Sequence, residues 1–307
     1  MVDVSGEWIS KPADFDVAKA EEAGRRAEAW FESLNAIDAL RADLVRDRPD
    51  LRPTEISYCI ANIVIQKFLG DAWWGEHLAG GTTGQAIYLR SHRSYRGAPG
   101  EHVQRVVSLG RRVFEFQDMP WFGDLVANLQ RRDLHGAVFE AEVLHMLTSI
   151  PLEFRLRAPV GEKGRDYDIG VDLGGTEWAI EVKSRADDSD YRAGALMKTL
   201  EGARRQLPGD GIGTTFVRVP YAWTKSGLYR RQSADEITDH LRQTSRVHAV
   251  VLVWDHWTET AFSGLHWQRR TRVFLDERAD LRVTKFLRTY DRLWSGDVDL
   301  LSIAAPF

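Results

Sequence analysis

Apolar residues recur at helical spacing through residues 14–47 (DFDVAKAEEAGRRAEAWFESLNAIDALRADLVRD), a stretch with no proline and many strong helix formers, so one or two helices are expected there. A second helical pattern opens at Pro53, Thr54 and Glu55, a favourable helix start, and continues through Leu69. Helix therefore dominates the first third of the chain. From Arg131 the period changes. A helix in RRDLHGAVFEAEVLHMLTSI is followed by the strand-like EFRLRAPV, by an alternating stretch from Gly164 to Asp188 (GRDYDIGVDLGGTEWAIEVKSRADD), and by a helix in RAGALMKTLEGARRQLP. Two further strands are expected at GTTFVRVP and RVHAVVLVW, separated by a helix starting at Ser233, where Ser233 to Glu236 read as a capping box. The order helix, three strands, helix, strand predicts an α/β (α+β) core around a central mixed sheet. Beyond Trp254 the chain is rich in Trp and Arg, and periodicity assigns no element.

The alternating stretch reads as a hairpin. Gly174 and Gly175 suit a two-residue turn because paired glycines accept positive φ. That turn sets Tyr167 opposite Val182, Ile169 opposite Ile180 and Val171 opposite Trp178, three aromatic or β-branched cross-strand pairs on one face. On the other face Asp168 meets Glu181 and Asp166 meets Lys183, with the small Gly170 and Ala179 beside them. Opposed carboxylates destabilise a sheet and raise each other's pKa unless a cation neutralises them. A hard divalent cation does so, because Mg²⁺ takes one or two carboxylates, keeps several waters and accepts phosphate oxygens. Such an ion activates water and offsets charge developing on phosphorus. Lys183, two residues beyond Glu181, projects from the same face, where an ammonium is placed to orient water or phosphate. The plain alternative is a solvent-facing strand, on which Asp, Glu and Lys are ordinary. Helical patterns on both sides of the hairpin favour a sheet covered on both faces.

Composition narrows the setting. The chain has 307 residues, 43% of them hydrophobic and 28% charged, with a net charge of −4 and a pI near 6.2. A substantial core is affordable at that length, and a contact with a polyanion must be local rather than a property of the whole surface. A single cysteine, Cys59, excludes an internal disulfide framework and a cysteine-cluster zinc site. The N-terminal residues lack the basic start and apolar run of a signal peptide, and the longest apolar run, HAVVLVW, is too short to span a bilayer; the expectation is a cytoplasmic protein. The glycine-rich AGGTTGQ, residues 79–85, is not followed by Gly-Lys-Ser/Thr and reads as a turn. His135, His145, His256 and His266 have no zinc-ligand spacing, and Ser184 has no G-x-S-x-G elbow around it.

Asp168, twelve intervening residues, and then Glu181-Val182-Lys183 on a hairpin, within the order helix, three strands, helix, strand, resemble the PD-(D/E)xK nuclease superfamily over roughly residues 130–255. The resemblance implies a restriction-endonuclease-like αβββαβ core and Mg²⁺- or Mn²⁺-dependent phosphodiester hydrolysis leaving a 5′-phosphate. Asp168 and Glu181 would be metal ligands and Lys183 would position or activate water. The family often carries a further acid on the helix before the first strand. Glu140 falls on the apolar side of that helix, between Leu144 and Leu147, and is the candidate third metal contact; Glu142 falls with His145 and Ser149 and is expected to be solvated. The family also often places a polar residue, frequently Gln, on the helix after the lysine, where Gln206 stands. The family's Pro-Asp pair is replaced by Asp166-Tyr167-Asp168, so Asp166 competes with Asp168 as the ligand.

Among the arginine doublets, Arg131-Arg132 and Arg204-Arg205 flank the expected site and are candidate phosphate contacts; Arg111-Arg112, Arg230-Arg231 and Arg269-Arg270 read as surface pairs. Trp254, Trp257 and Trp267 would stack on unpaired bases or pack in the core. The expected organisation is a mainly helical targeting or regulatory domain over 1–125, a nuclease-like domain over 126–260 and a Trp/Arg-rich extension over 261–307 packed on the core. The expected partner is nucleic acid, DNA before RNA, with no membrane and with a homodimer or activator engaging the first domain. Restriction, host defence or mobile-element biology follows from the resemblance alone. The competing reading is a catalytically silent nuclease-fold module that binds nucleic acid or protein, or an RNase.

Overall fold

The computed structural model describes residues 17–80, 88–89, 101–131, 133–149, 152–185, 189–260 and 264–297. Helices come first: α1 (Val17–Asp47), α2 (Pro53–Leu69) and the short α3 (Asp71–Trp74), which runs into a π-helical turn over Gly75–Gly80. The start of α2 follows the sequence reading, with proline at the first helical position and the Glu55 carboxylate accepting the Arg52 N–H at 2.8 Å. Then come α4 (Glu101–Glu115), α5 (Phe122–Arg131) and α6 (Leu134–Thr148). The expected turn at AGGTTGQ lies outside the described residues from position 81 onward.

Next are β1 (Phe154–Leu156), β2 (Ile169–Asp172), β3 (Glu177–Ser184), α7 (Ala195–Arg204) and β4 (Ile212–Arg218). The chain continues through α8 (Tyr221–Lys225), α9 (Gly227–Arg242), β5 (Ala249–Thr260), β6 (Gly264–Leu275), α10 (Leu281–Trp294) and the two-residue β7 (Gly296–Asp297). Among the described residues seven strands form one mixed sheet in chain order. The β1–β2 and β2–β3 pairs are antiparallel, β3–β4 and β4–β5 are parallel, and β5–β6 and β6–β7 are antiparallel. Each parallel step is a crossover through helix, α7 for the first and α8 with α9 for the second.

Alternation along the strands separates two cores. Trp178, Ile180, Val182, Phe216, Val251 and Val253 face a layer built from α2, α4, α5, α6 and α10. Ala179, Val217, Val250 and Leu252 face Leu196 and Leu200 of α7 and Ile237 and Leu241 of α9. The sheet is thus covered on both faces, as its run of buried strand residues requires.

The structure corrects one expected helix start. Ser233 is not a helix start: α9 begins at Gly227, with the Ser226 hydroxyl accepting the Tyr229 N–H at its N-cap, and Ser233 lies buried within the helix. Buried apolar residues from Ile37 to Trp294 pack in one cluster. The region after Trp254 supplies β6, which pairs with the whole length of β5, and α10, whose Val283 and Leu287 pack in the core.

The helical layer is tightly seated. An added Cβ on Gly110 of α4 would come within 2.8 Å of the Ala61 side chain on α2, so glycine is what lets these helices meet. Gly110→Ala is expected to cost about 1–3 kcal/mol by overpacking. Gly123→Ala, where nothing lies within 4 Å of the added carbon, is expected to leave stability unchanged or raise it by up to about 1 kcal/mol; chemical denaturation of the two variants checks the contrast.

Candidate active site

The hairpin forms as its sequence prescribes near the turn. Gly174 and Gly175 adopt φ of 77° and 88°, and the Leu173 N–H donates to the Thr176 carbonyl at 2.9 Å. Ile169 pairs with Ile180, Gly170 with Ala179 and Val171 with Trp178. Gly170 leaves room for the Glu177 side chain, which folds across it to reach the Tyr167 hydroxyl and Arg157.

Beyond Ile169 the ladder shifts. The Asp168 N–H donates to the Ile180 carbonyl at 3.1 Å, and the Val182 N–H donates to the Asp168 carboxylate at 2.8 Å. A side chain therefore takes the bond that a backbone carbonyl would have accepted. The expected facing of Tyr167 and Val182 is lost in consequence: Tyr167 packs with the α7 and α9 layer, whereas Val182 packs on the opposite face. Asp166 is also moved away from ligand duty, since its carboxylate accepts the Val160 and Gly161 N–H groups at 2.9 and 3.2 Å and closes the preceding loop. Of the two competing aspartates, Asp168 is the buried one beside β3.

Glu181 is 0% exposed. Its carboxyl is pushed up to about 9, first by burial and then by the charge of Asp168, with a smaller push from Glu140; Lys183 pulls the other way. The Lys183 ammonium is held between two acceptors, the Glu181 Oε1 and, at 2.7 Å, the Gln206 Oε1. Gln206 in turn donates its Nε2 to the Asp166 carbonyl at 3.3 Å, tying the segment after α7 to the loop before β2. Glu181 Oε2 is buried with no hydrogen-bond partner, and so is the hydroxyl Oγ1 of Thr215 on β4.

Glu140 is buried on α6, as its place on the apolar side of the helix suggested, and its Oε2 accepts from Asn128 Nδ2 on α5 at 3.0 Å. Asn128 carried no signal in the sequence, because its role appears only once α5 and α6 pack. Arg131 is exposed at the end of α5, and Arg132 lies outside the described residues. Arg204 donates to Glu201 within α7 at 2.6 Å, whereas Arg205 is exposed and its carbonyl accepts the Gly164 N–H at 3.0 Å.

Glu142 is the clearest correction. It is buried rather than solvated, and its carboxyl is held far below the usual range: burial opposes this, but the charges of Arg269 and Arg112 and the Ser108 hydroxyl outweigh it. Arg269 of β6 donates to Glu142 at 2.9 Å and to Asp255 of β5 at 2.9 Å, and Arg218 of β4 donates to Asp255 at 2.8 Å and to the Tyr88 hydroxyl at 3.0 Å. Arg269 and the Arg111-Arg112 pair, read as surface arginines, are buried. Trp254 is partly buried against the α7 and α9 core; the side chains of Trp257 and Trp267 lie outside what the structure describes.

The residues suit a divalent cation on chemical grounds. A buried carboxylate oxygen without a partner, beside a second carboxylate and a third close enough to perturb it, is stabilised by a cation and strained without one. Among the described residues no three His, Cys, Asp or Glu side chains are gathered to hold an ion by themselves. Two carboxylates completed by water and phosphate oxygens are a sufficient protein share for Mg²⁺. Comparison of the chain with protein-family models, with curated proteins and with solved structures finds no match, so the site is read from its own chemistry.

Two measurements test this electrostatic picture. Glu181 keeps its proton to about 9 in the folded chain but loses it near the ordinary 4.5 when unfolded. The folded state therefore binds more protons between those values, and stability falls as pH rises through that window. Thermal melts in EDTA should show this fall for the wild type and a shallower one for Glu181→Gln. Arg269→Ala, which leaves Glu142 and Asp255 buried without their shared guanidinium, is expected to cost about 3–5 kcal/mol in denaturant titrations.

Proposed function

We propose that this chain hydrolyses phosphodiester bonds, with DNA as the substrate and Mg²⁺ or Mn²⁺ as the cofactor, in the manner of the PD-(D/E)xK nucleases it resembles. One observation carries the reading: Glu181, wholly buried, has an unpartnered carboxylate oxygen beside Asp168 while its other oxygen holds the Lys183 ammonium. A structural position on β3 would be served better by an apolar residue. The observed order α6, β1, β2, β3, α7, β4 supports a restriction-endonuclease-like core.

Asp168 and Glu181 would hold the cation, with Glu140 adjoining them, and the ion would supply Lewis acidity toward phosphate and water. Lys183 does the positioning. Its ammonium is fixed by Glu181 and Gln206, so its remaining donor capacity is aimed rather than free to wander, and a phosphate oxygen or attacking water is oriented without a rotamer search. Gln206 serves as the strut, bonded to Lys183 on one side and to the Asp166 carbonyl on the other. Asp168 accepts the Val182 N–H, which locks its carboxylate against β3. Arg131 and Arg205, both exposed, would be the doublet members to meet phosphates; Arg204 is engaged with Glu201. No helix among the described residues is long and apolar enough to cross a membrane.

Labelled single-stranded DNA, duplex DNA and RNA, incubated with Mg²⁺, Mn²⁺ or EDTA, test the proposal. Cleavage is expected with either metal and not in EDTA, with Glu181→Ala and Lys183→Ala each lowering the rate by about 100-fold or more. Binding of nucleic acid without cleavage by the wild type would replace the enzyme with a silent binding module. Cleavage confined to RNA would make it an RNase.

A further inference from the structure

The residue of β4 in register with Glu181 is Thr215. Paired residues on adjacent strands project from the same face, at a strand spacing of about 4.8 Å. Both residues are wholly buried, and each has one side-chain oxygen with no hydrogen-bond partner, Oε2 of Glu181 and Oγ1 of Thr215. The two side chains thus share one face of the sheet, on the side that α7 covers, and neither oxygen is hydrogen-bonded to the other. The neighbouring threonine is different: Thr214 points to the opposite face, where its hydroxyl accepts from Trp178 Nε1 at 2.9 Å. Around Thr215, the same face is filled by Val217, Val250 and Leu252. Valine has the shape of threonine and no polar atom to desolvate, so packing alone gives no reason for a hydroxyl here.

Resting on the reading of Glu181 as a metal ligand, we propose that Thr215 is a positioning residue of the metal site, its hydroxyl bridging the Glu181 carboxylate and the hydration shell of the cation. The hydroxyl suits this place because it both donates and accepts: with a cation bound, it would donate to the carboxylate oxygen and accept from water. Such partners of a metal ligand fix its orientation, and their loss weakens metal binding without removing a ligand.

Calorimetric titration with Mn²⁺, alongside thermal melts in EDTA, tests the assignment on the full chain with Thr215→Val and Thr215→Ser. Thr215→Val is expected to weaken Mn²⁺ binding by about tenfold or more while melting in EDTA at or above the wild-type temperature. Thr215→Ser, which keeps the hydroxyl, is expected to bind within a few-fold of wild type. Wild-type affinity in Thr215→Val overturns the proposal. So does weak binding that accompanies a lower melting temperature in EDTA and is not restored in Thr215→Ser, since that pattern marks a packing role. If the wild type binds Mn²⁺ and cleaves in a Glu181-dependent way while Thr215→Val binds equally well, only the role of Thr215 falls. If the wild type takes up no Mn²⁺, the metal-dependent reading of the site falls with it.

Discussion

A carboxylate enclosed in a sheet that helices cover on both faces must share its charge with a cation or keep its proton, and β3 is arranged around that constraint at Glu181. Lys183 answers part of it, but one ammonium among three nearby carboxylates leaves the local charge negative. The remainder of the site follows from how the surroundings are secured. Gln206 stops the lysine from swinging to solvent, the Asp166 carbonyl secures Gln206, and the Asp166 carboxylate closes the loop that delivers Asp168. Removing any of these leaves the buried charge without its fixed neighbours.

The ion network on the other face shows the opposite solution to the same cost. Glu142, Arg269, Asp255 and Arg218 alternate in sign, and hydrogen bonds connect each to the next. The pKa values of three of them move in the directions that keep them charged, with Glu142 and Asp255 lowered and Arg269 raised. Burial acts against all three shifts, so pairing decides. Around Glu181 burial and like charges decide instead. A satisfied network joins α6 to β4, β5 and β6, whereas an unsatisfied group has chemical capacity to spare, and this difference separates scaffold from site within one core.

What the sequence revealed depended on how local each interaction is. Two glycines and the pairs Ile169–Ile180 and Val171–Trp178 are decided within nine residues of the turn, and the register there could be read directly. One residue further, the Asp168 carboxylate replaces a backbone acceptor and Tyr167 turns to the other face, an outcome that no alternation of apolar and polar residues encodes. Glu140 was legible because its odd place on an apolar helical face is a property of α6 alone. Glu142 was not, because the guanidinium that makes its burial tolerable is Arg269, 127 residues away. The same limit holds for the helical layer: periodicity shows that α2 is helical, but not that its buried face packs with the sheet in one apolar cluster.

The chain connections explain why the site concentrates on β3 and its immediate neighbours. The hairpin turn brings Asp168 back alongside Val182, and the crossover through α7 returns the chain parallel to β3, which carries Gln206 past Lys183 and then sets Thr215 beside Glu181. A single helix-spaced return therefore supplies both the strut for the lysine and the hydroxyl next to the glutamate. The juxtaposition of Glu181 and Thr215 arises from strand register, so a shift of one residue in the β3–β4 pairing would turn one of the two polar groups to the opposite face, against the α2, α4 and α6 layer. The apolar packing of that face is thus what fixes the polar geometry of this one.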